Sequence, residues 1–256
     1  MAEKKTSRRE EANLEKQKAF LCENLSFAGK EAYKRLRTNV QFSFADGESS
    51  HIVGVTSAQP SDGKSTSSIN LAYSMAQLGK KVLVIDADMR RSSVHLRLGI
   101  EAKPGLSNLL TDVNNVGSAV QVYEPSDGSE GFDVLPAGDV PPNPSELLGS
   151  ERMERLLGKL ANIYDFIVID LPPVGAVVDA QTVSKLVDGM LVVVRENHCA
   201  RSVMDSCIRE LSLTGTKILG FIVNGSVAGA SKSGSYKKYG SYDNKYYNSY
   251  NSYTAR

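Results

Sequence analysis

The sequence predicts an α/β chain built on a doubly wound, mostly parallel sheet, and three observations carry that prediction. Short runs made almost wholly of Val, Ile and Leu recur between residues 51 and 224. Amphipathic stretches of helical period separate them, and Gly, Asp, Asn and Pro mark each change of period. Strands that are apolar on both faces need cover on both sides, which crossover helices provide in a parallel sheet. With 256 residues, 41% of them apolar, the chain can build such a core.

Taken in order, residues 1–20 are dense in charge of both signs and read as a solvent-exposed arm. Between residues 30 and 44, Tyr33, Leu36, Val40 and Phe44 fall at helical spacing, with Glu31, Lys34 and Arg37 on another face. ADGESS ends that helix. HIVGVTS at 51–57 is then a buried strand, SSINLAYSMAQLG at 67–79 a helix closed by Gly79, and KVLVIDAD at 81–88 a second strand. FDVLPAG follows, then one helix over 145–163, the strand DFIVID at 165–170 and a helix from Ala180. The strand GMLVVVR at 189–195, a helix near 201–213 and the strand KILGFIVN at 217–224 complete the pattern. This divides the chain into residues 1–45, an arm and a helix; 46–225, the α/β domain; and 226–256, a tail too poor in aliphatics to offset chain entropy and expected to be flexible.

Charge is unevenly spread. The formal net charge is +1, but the tail holds Lys232, Lys237, Lys238, Lys245 and Arg256 against Asp243, a local +4 that leaves the remainder at −3. Tyrosine is skewed the same way: Tyr236, Tyr239, Tyr242, Tyr246, Tyr247, Tyr250 and Tyr253 are seven of the chain's 11. Such a tail could be a sticky linker, a base-stacking platform or a string of modification sites. Its modest charge and the lack of any RNA motif argue against nucleic acid. Cys22, Cys199 and Cys207 form no metal-ligand spacing and no disulfide framework, so a reducing cytoplasm is expected. His51, His95 and His198 share no spacing and read as packing or surface residues. No window approaches the length of a spanning helix, so any work at a membrane would need a partner to hold the chain there.

The chemistry concentrates in TSAQPSDGKSTSS at 56–68, between the first strand and its helix. Backbone N–H groups from Ser61 through Asp62, Gly63, Lys64 and Ser65 to Thr66 can wrap a polyphosphate at the positive end of that helix. The Lys64 side chain can reach the β and γ oxygens, and the Ser65 hydroxyl can ligate Mg²⁺. The strict spacing G-x-x-x-x-G-K-[ST] is broken by Ala58 in the first glycine position. A loop that merely turns strand into helix is the competing reading. Against it, Asp86, Asp88 and Asp170 fall at the carboxyl ends of parallel strands, where open α/β sheets bind ligands, although a single such Asp could equally be a helix cap. Asp170 after FIVI fits a carboxylate that holds Mg²⁺ through water. The architecture is thus P-loop NTPase-like.

Several runs resemble one family. VLVIDADMRR at 82–91, PGLSNLL at 104–110, LPAGDVPPNPSELLGS at 135–150 and YDFIVIDLPPVGAVVDA at 164–180 are similar to blocks of the bacterial tyrosine kinases that control capsule and exopolysaccharide synthesis. That family's loop usually reads P-G-E-G-K-[ST], where this chain has Pro60-Ser61-Asp62-Gly63-Lys64-Ser65. The resemblance implies an ATP- and Mg²⁺-dependent protein-tyrosine kinase that phosphorylates its own tail tyrosines in trans. It assigns Asp86 the tyrosine proton, Asp88 and Asp170 the support of Mg²⁺, and Arg90 or Arg91 a secondary role. Asn224 looks like an adenine-contacting position, with a turn asparagine as the alternative. The family's E-x-x-R-x-x-R helix corresponds to Glu31, Lys34 and Arg37, implying a homo-oligomeric ring; Lys in place of the first Arg lacks the planar fork.

The same resemblance implies a split arrangement, in which a transmembrane activator of the polysaccharide co-polymerase type recruits a cytoplasmic kinase to the inner face of the membrane. Polysaccharide-synthesis enzymes are then candidate substrates, and the chain alone should be weakly active. Two other functions compete: a partitioning ATPase of the deviant Walker type, and a catalytically silent adaptor. The first carries a signature lysine where this chain has Gln59, and the retained Lys64, Ser65, Asp86, Asp88 and Asp170 argue against the second.

Overall fold

The structure, a computed structural model, describes residues 18, 20–44, 50–111 and 116–225. The tail, with all seven of its tyrosines, and most of the expected N-terminal arm lie outside the described residues.

Helix α1 (Phe27–Phe42) starts at Ser26, whose side chain accepts from Gly29 N, and precedes the internal strand β1 (His51–Ser57). The order continues with α2 (Lys64–Ala76), β2 (Val82–Asp86), α3 (Val94–Leu98), α4 (Leu106–Thr111), α5 (Val116–Ala119), β3 (Gln121–Tyr123) and β4 (Phe132–Leu135). Then come α6 (Pro144–Leu148), α7 (Glu151–Ala161), β5 (Phe166–Asp170), α8 (Asp179–Val183), β6 (Gly189–Arg195), α9 (Arg201–Ser212) and β7 (Ile218–Asn224). The seven strands form one sheet in the order β3-β4-β2-β5-β1-β6-β7, and only the β3–β4 pairing is antiparallel. The doubly wound, mostly parallel class expected from the sequence is therefore what forms.

Alternation along each strand builds the two faces. Val53, Val55, Val84 and Val168 join Ile69, Leu71 and Met75 of α2 in one cluster. Leu83, Ile85, Ile167 and Ile169 join Leu156, Leu157 and Leu160 of α7 and Leu211 of α9 in the other. Each such buried aliphatic contributes about 1.5–3 kcal/mol relative to exposure. Cys22 and Cys207 are buried and Cys199 is partly so.

Two expectations need correction. The single helix over 145–163 is two, because Ser150 leaves helical geometry (φ −79, ψ 153) and its side chain accepts from Met153 N, capping α7 afresh. The helix expected at 67–79 begins at Lys64, because Gly63 takes a left-handed φ of 98 and starts it directly at the loop. Of the arm expected in solvent over residues 1–20, the described Lys18 and Phe20 are exposed; just beyond it Leu21 and Cys22 are buried, Cys22 N donates to Asn70 Oδ1, and Asn70 Nδ2 donates to Phe20 O. The edge strand β3 was not foreseen; three residues of mixed burial carry no readable period. Among the described residues, no helix is long and apolar enough to cross a membrane.

Candidate active site

The carboxyl ends of β1, β2 and β5 are adjacent in the sheet, so loops far apart in sequence converge there. In register, Asp86 of β2 sits opposite Asp170 of β5, and Asp170 opposite Val55 of β1. After β1 the chain passes through Gln59-Pro60-Ser61-Asp62-Gly63 into α2. Gly63 has room for no side chain, since a Cβ there would lie 1.9 Å from Asn224 Nδ2. Ser61 is held left-handed as well, with φ 68, a conformation that costs an L residue about 1–2 kcal/mol. No side chain caps α2. Its first-turn N–H groups are therefore left without a side-chain acceptor, the setting in which helix N-termini take anions.

Lys64 reaches from the start of α2 to the carboxylates: its Nζ is 2.8 Å from Asp88 Oδ2 and 3.6 Å from Asp170 Oδ2. Burial alone would lower its pKa, but the charges of Asp170, Asp88 and Asp86 outweigh that, so its ammonium stays above the ordinary value. Asp86 and Asp170 are both fully buried. Burial and then the Asp170 charge push Asp86 up to about 7, against the pull of Lys64 and of the Val94 and Ser93 N–H groups. Burial also holds Asp170 above its usual range, with Lys64 and the Ser65 and Ser68 hydroxyls opposing. Asp86 Oδ2 accepts from Ser93 N and Val94 N, each at 3.1 Å, while Oδ1 accepts from Asp88 N at 3.2 Å.

These donors suit Mg²⁺. Asp170 Oδ1 accepts from Ser68 Oγ at 3.2 Å, whereas its buried Oδ2 receives no hydrogen bond and has only the longer ion pair to Lys64. The Ser65 hydroxyl is buried alongside and accepts from Ser93 Oγ at 3.1 Å. Among the described residues no group of three or more His, Cys, Asp or Glu side chains could cage a metal by itself. Mg²⁺ usually takes one or two carboxylates and fills the remaining positions with water and phosphate oxygens, a need that the buried Asp170 Oδ2 and the Ser65 hydroxyl can meet.

Lys64, Ser65, Asp86, Asp88 and Asp170 are thus brought together, and Ser61, Asp62, Gly63 and Thr66 form the loop and first helical turn beside them. Asn224 does reach the loop, but its Nδ2 donates to Asp62 O at 2.9 Å. Of the two arginines left open, Arg90 is the one engaged. Its Nε and Nη2 donate to the fully buried Asp179 at 3.0 and 3.3 Å, and Ser145 Oγ donates to the same carboxylate. Away from the site, Lys34 pairs with Glu31 at 2.7 Å, whereas Arg37 turns inward and donates to Ser74 O of α2. Sequence reasoning missed Asp179, His198 and Ser93. Asp179 carried a usable signal, an acid in an otherwise apolar run; His198 carried none, because its partner Asp62 is distant in sequence, and Ser93 belongs to no motif that sequence could single out.

Comparison with known proteins agrees with this geometry. Residues 50–217 match the family model described as an AAA domain. The chain is 37% identical over 214 residues to the tyrosine-protein kinase YwqD of Bacillus subtilis, covering 84% of this chain and 87% of that one. It is 35% identical over 217 residues to the tyrosine-protein kinase CpsD of Streptococcus agalactiae, covering 84% and 91%. The solved kinase domain of the Escherichia coli tyrosine kinase ETK superposes with a TM-score of 0.76 at 36% identity, covering 84% of this chain and 82% of that one. A charged centre at the strand ends, a phosphate loop and these relatives agree: the chain belongs to the bacterial tyrosine kinases and is a protein-tyrosine kinase.

Proposed function

We propose that the chain transfers the γ-phosphoryl group of ATP, with Mg²⁺, to the tyrosines at 236–253 of a neighbouring copy. In this reading residues 46–225 are the kinase domain, 226–256 carry the acceptors, and 1–45 carry the contacts between copies. The observation that carries it is the fully buried Asp86, opposite Asp170 in the sheet and held up to about 7, with the buried Lys64 reaching Asp88 and Asp170 beside it. A base with a pKa near the working pH is well matched to proton transfer.

The N–H groups from Ser61 to Thr66 would bind the phosphates and Lys64 would offset the charge that develops on them. Ser65, Asp88 and Asp170 would hold Mg²⁺, which when bound supplies charge neutralisation at the phosphate oxygens. A phenol of ordinary pKa near 10 needs its proton removed as the bond to phosphorus forms. Asp86 accepts that proton, the tyrosine oxygen bonds to the γ-phosphorus, and ADP leaves with the electron pair of the broken P–O bond.

Ring contacts would use the α1 face that bears Glu31 and Lys34, with Arg37 buttressing that helix on α2. A membrane protein would recruit and activate the chain at the inner face of the membrane, and the modified tail would regulate polysaccharide synthesis and export, whose enzymes are further candidate substrates. Each phosphotyrosine adds about −1.5 to −2, so a few of them turn the +4 tail negative.

The test is mass spectrometry after incubation with ATP, Mg²⁺ and the cytoplasmic segment of a candidate activator. Phosphotyrosine should appear between Tyr236 and Tyr253, and it should also appear on a Lys64→Met chain mixed with a wild-type chain lacking residues 226–256. No phosphotyrosine in the wild-type tail overturns the reading; phosphotyrosine only on active chains overturns transfer in trans.

A further inference from the structure

The phosphate loop is held from outside by a corner of the fold that the chemistry does not otherwise use. Asp62 lies in the loop with its side chain fully buried. Its Oδ2 accepts from Gln59 N at 3.2 Å, its Oδ1 lies 2.8 Å from His198 Nδ1, and its carbonyl accepts from Asn224 Nδ2 at 2.9 Å. A carboxylate oxygen accepts, so this contact is a hydrogen bond in the tautomer whose Nδ1 carries the ring hydrogen. A buried carboxylate needs such partners, because losing one leaves it desolvated without compensation.

The two partners reach the loop from one frame. His198 follows β6 and Asn224 ends β7; Arg195 and Asn224 are paired in register, and Glu196 N donates to Asn224 O at 2.9 Å. Asn197 takes a left-handed φ of 59, and His198 N closes the turn onto Arg195 O at 3.2 Å, bringing the imidazole over the loop. On the loop side, Ser61 has φ 68, where a residue with a Cβ does not rest unaided. The loop's shape is therefore set by what grips its next residue.

We propose that His198 is a positioning residue for the phosphate loop: through Asp62 it holds Ser61 left-handed and keeps the loop N–H groups arranged for the donor's phosphates. This rests on the nucleotide-binding reading above. It makes the need for His198 conditional on the residue at 61. A glycine there adopts the same φ without steric penalty, so the strap becomes dispensable.

The experiment measures binding of a fluorescent N-methylanthraniloyl ADP by the full chain, for His198→Leu and His198→Asn, each with Ser61 and with Ser61→Gly. In the Ser61 background His198→Leu should weaken binding about tenfold, as expected for a buried carboxylate losing a donor. His198→Asn, whose amide nitrogen lies near the place of Nδ1, should stay within about threefold. In the Ser61→Gly background the cost of His198→Leu should shrink to about twofold. Tyrosine phosphorylation should show KM for ATP rising with kcat little changed, since His198 does not touch the reacting atoms. Equal losses in both backgrounds, or none in the Ser61 background while wild type binds, overturn the strap and leave the kinase reading intact. Failure of wild type to bind overturns the nucleotide reading, and the strap with it. Should His198→Leu unfold, His198→Ser, too short to reach Asp62, carries the same comparison against His198→Asn.

Discussion

Two loops leave neighbouring parts of the same sheet edge, and they treat charge in opposite ways. The loop after β1 leads into α2 with no side-chain cap, so the first N–H groups of the helix have no side-chain acceptor, and its cation, Lys64, is thrown across to the next loop. The loop after β2 turns its N–H groups onto its own carboxylate, with Ser93 N and Val94 N both on Asp86. One strand-to-helix turn is thus built to receive an anion, and the other turns its N–H groups onto a buried carboxyl group of its own. The difference lies in residue type at equivalent places, glycine and lysine against aspartate, and it divides phosphate binding from proton acceptance.

Breaking the first loop should have the largest effect. Lys64→Met removes the only cation that the described structure places between Asp88 and Asp170, and phosphotyrosine formation should fall at least a thousandfold, as read by mass spectrometry; removal of transition-state charge stabilisation typically costs roughly that much. Asp86→Asn attacks the second loop and should lower kcat about 100- to 10,000-fold. Wild-type kcat should rise with pH through about 7, because Asp86 must be ionised to accept a proton and its pKa is raised to about that value.

The same group makes a stability prediction of opposite sense. Its folded pKa of about 7 lies above the ordinary 3.8, so the folded chain keeps a proton that the unfolded chain releases. That stabilisation is complete below the ordinary value and is lost as pH rises to the folded value. The melting temperature of wild type relative to Asp86→Asn should therefore fall between about pH 4 and about pH 7 and then level off. A difference that does not change with pH would mean that Asp86 is not held protonated.

Smaller changes sharpen the contrast. Gly63→Ala places a Cβ against Asn224 at a φ of 98, and should cost about 1–3 kcal/mol in denaturant unfolding and weaken nucleotide binding. The smallest effect is expected from Ser93→Ala. This removes the hydroxyl that joins the two loops through Ser65 Oγ while leaving the backbone N–H on Asp86, so activity should fall only a few-fold. A loss as large as that of Asp86→Asn would show that the two loops act as one unit.

Much of this was legible in the sequence. The buried strands β2 and β5 announce themselves by their Val, Ile and Leu runs, and DGKST and the Asp86-Ala87-Asp88 run sit where strands end. The local chain dictates these features, since strand period, loop composition and helix start are neighbour effects. The break at Ser150 was also local, and was obscured because the apolar spacing continues through it. What only the tertiary structure decided is which distant groups meet. The register of β2 on β5 places Asp86 beside Asp170, burial then raises both, Arg90 rather than Arg91 finds the buried Asp179, and the ends of β6 and β7 bring His198 and Asn224 onto Asp62. Residue types and spacing set which charges and donors the chain carries; only packing sets their distances and removes water from around them, and the strength of every electrostatic interaction in the site depends on those two quantities.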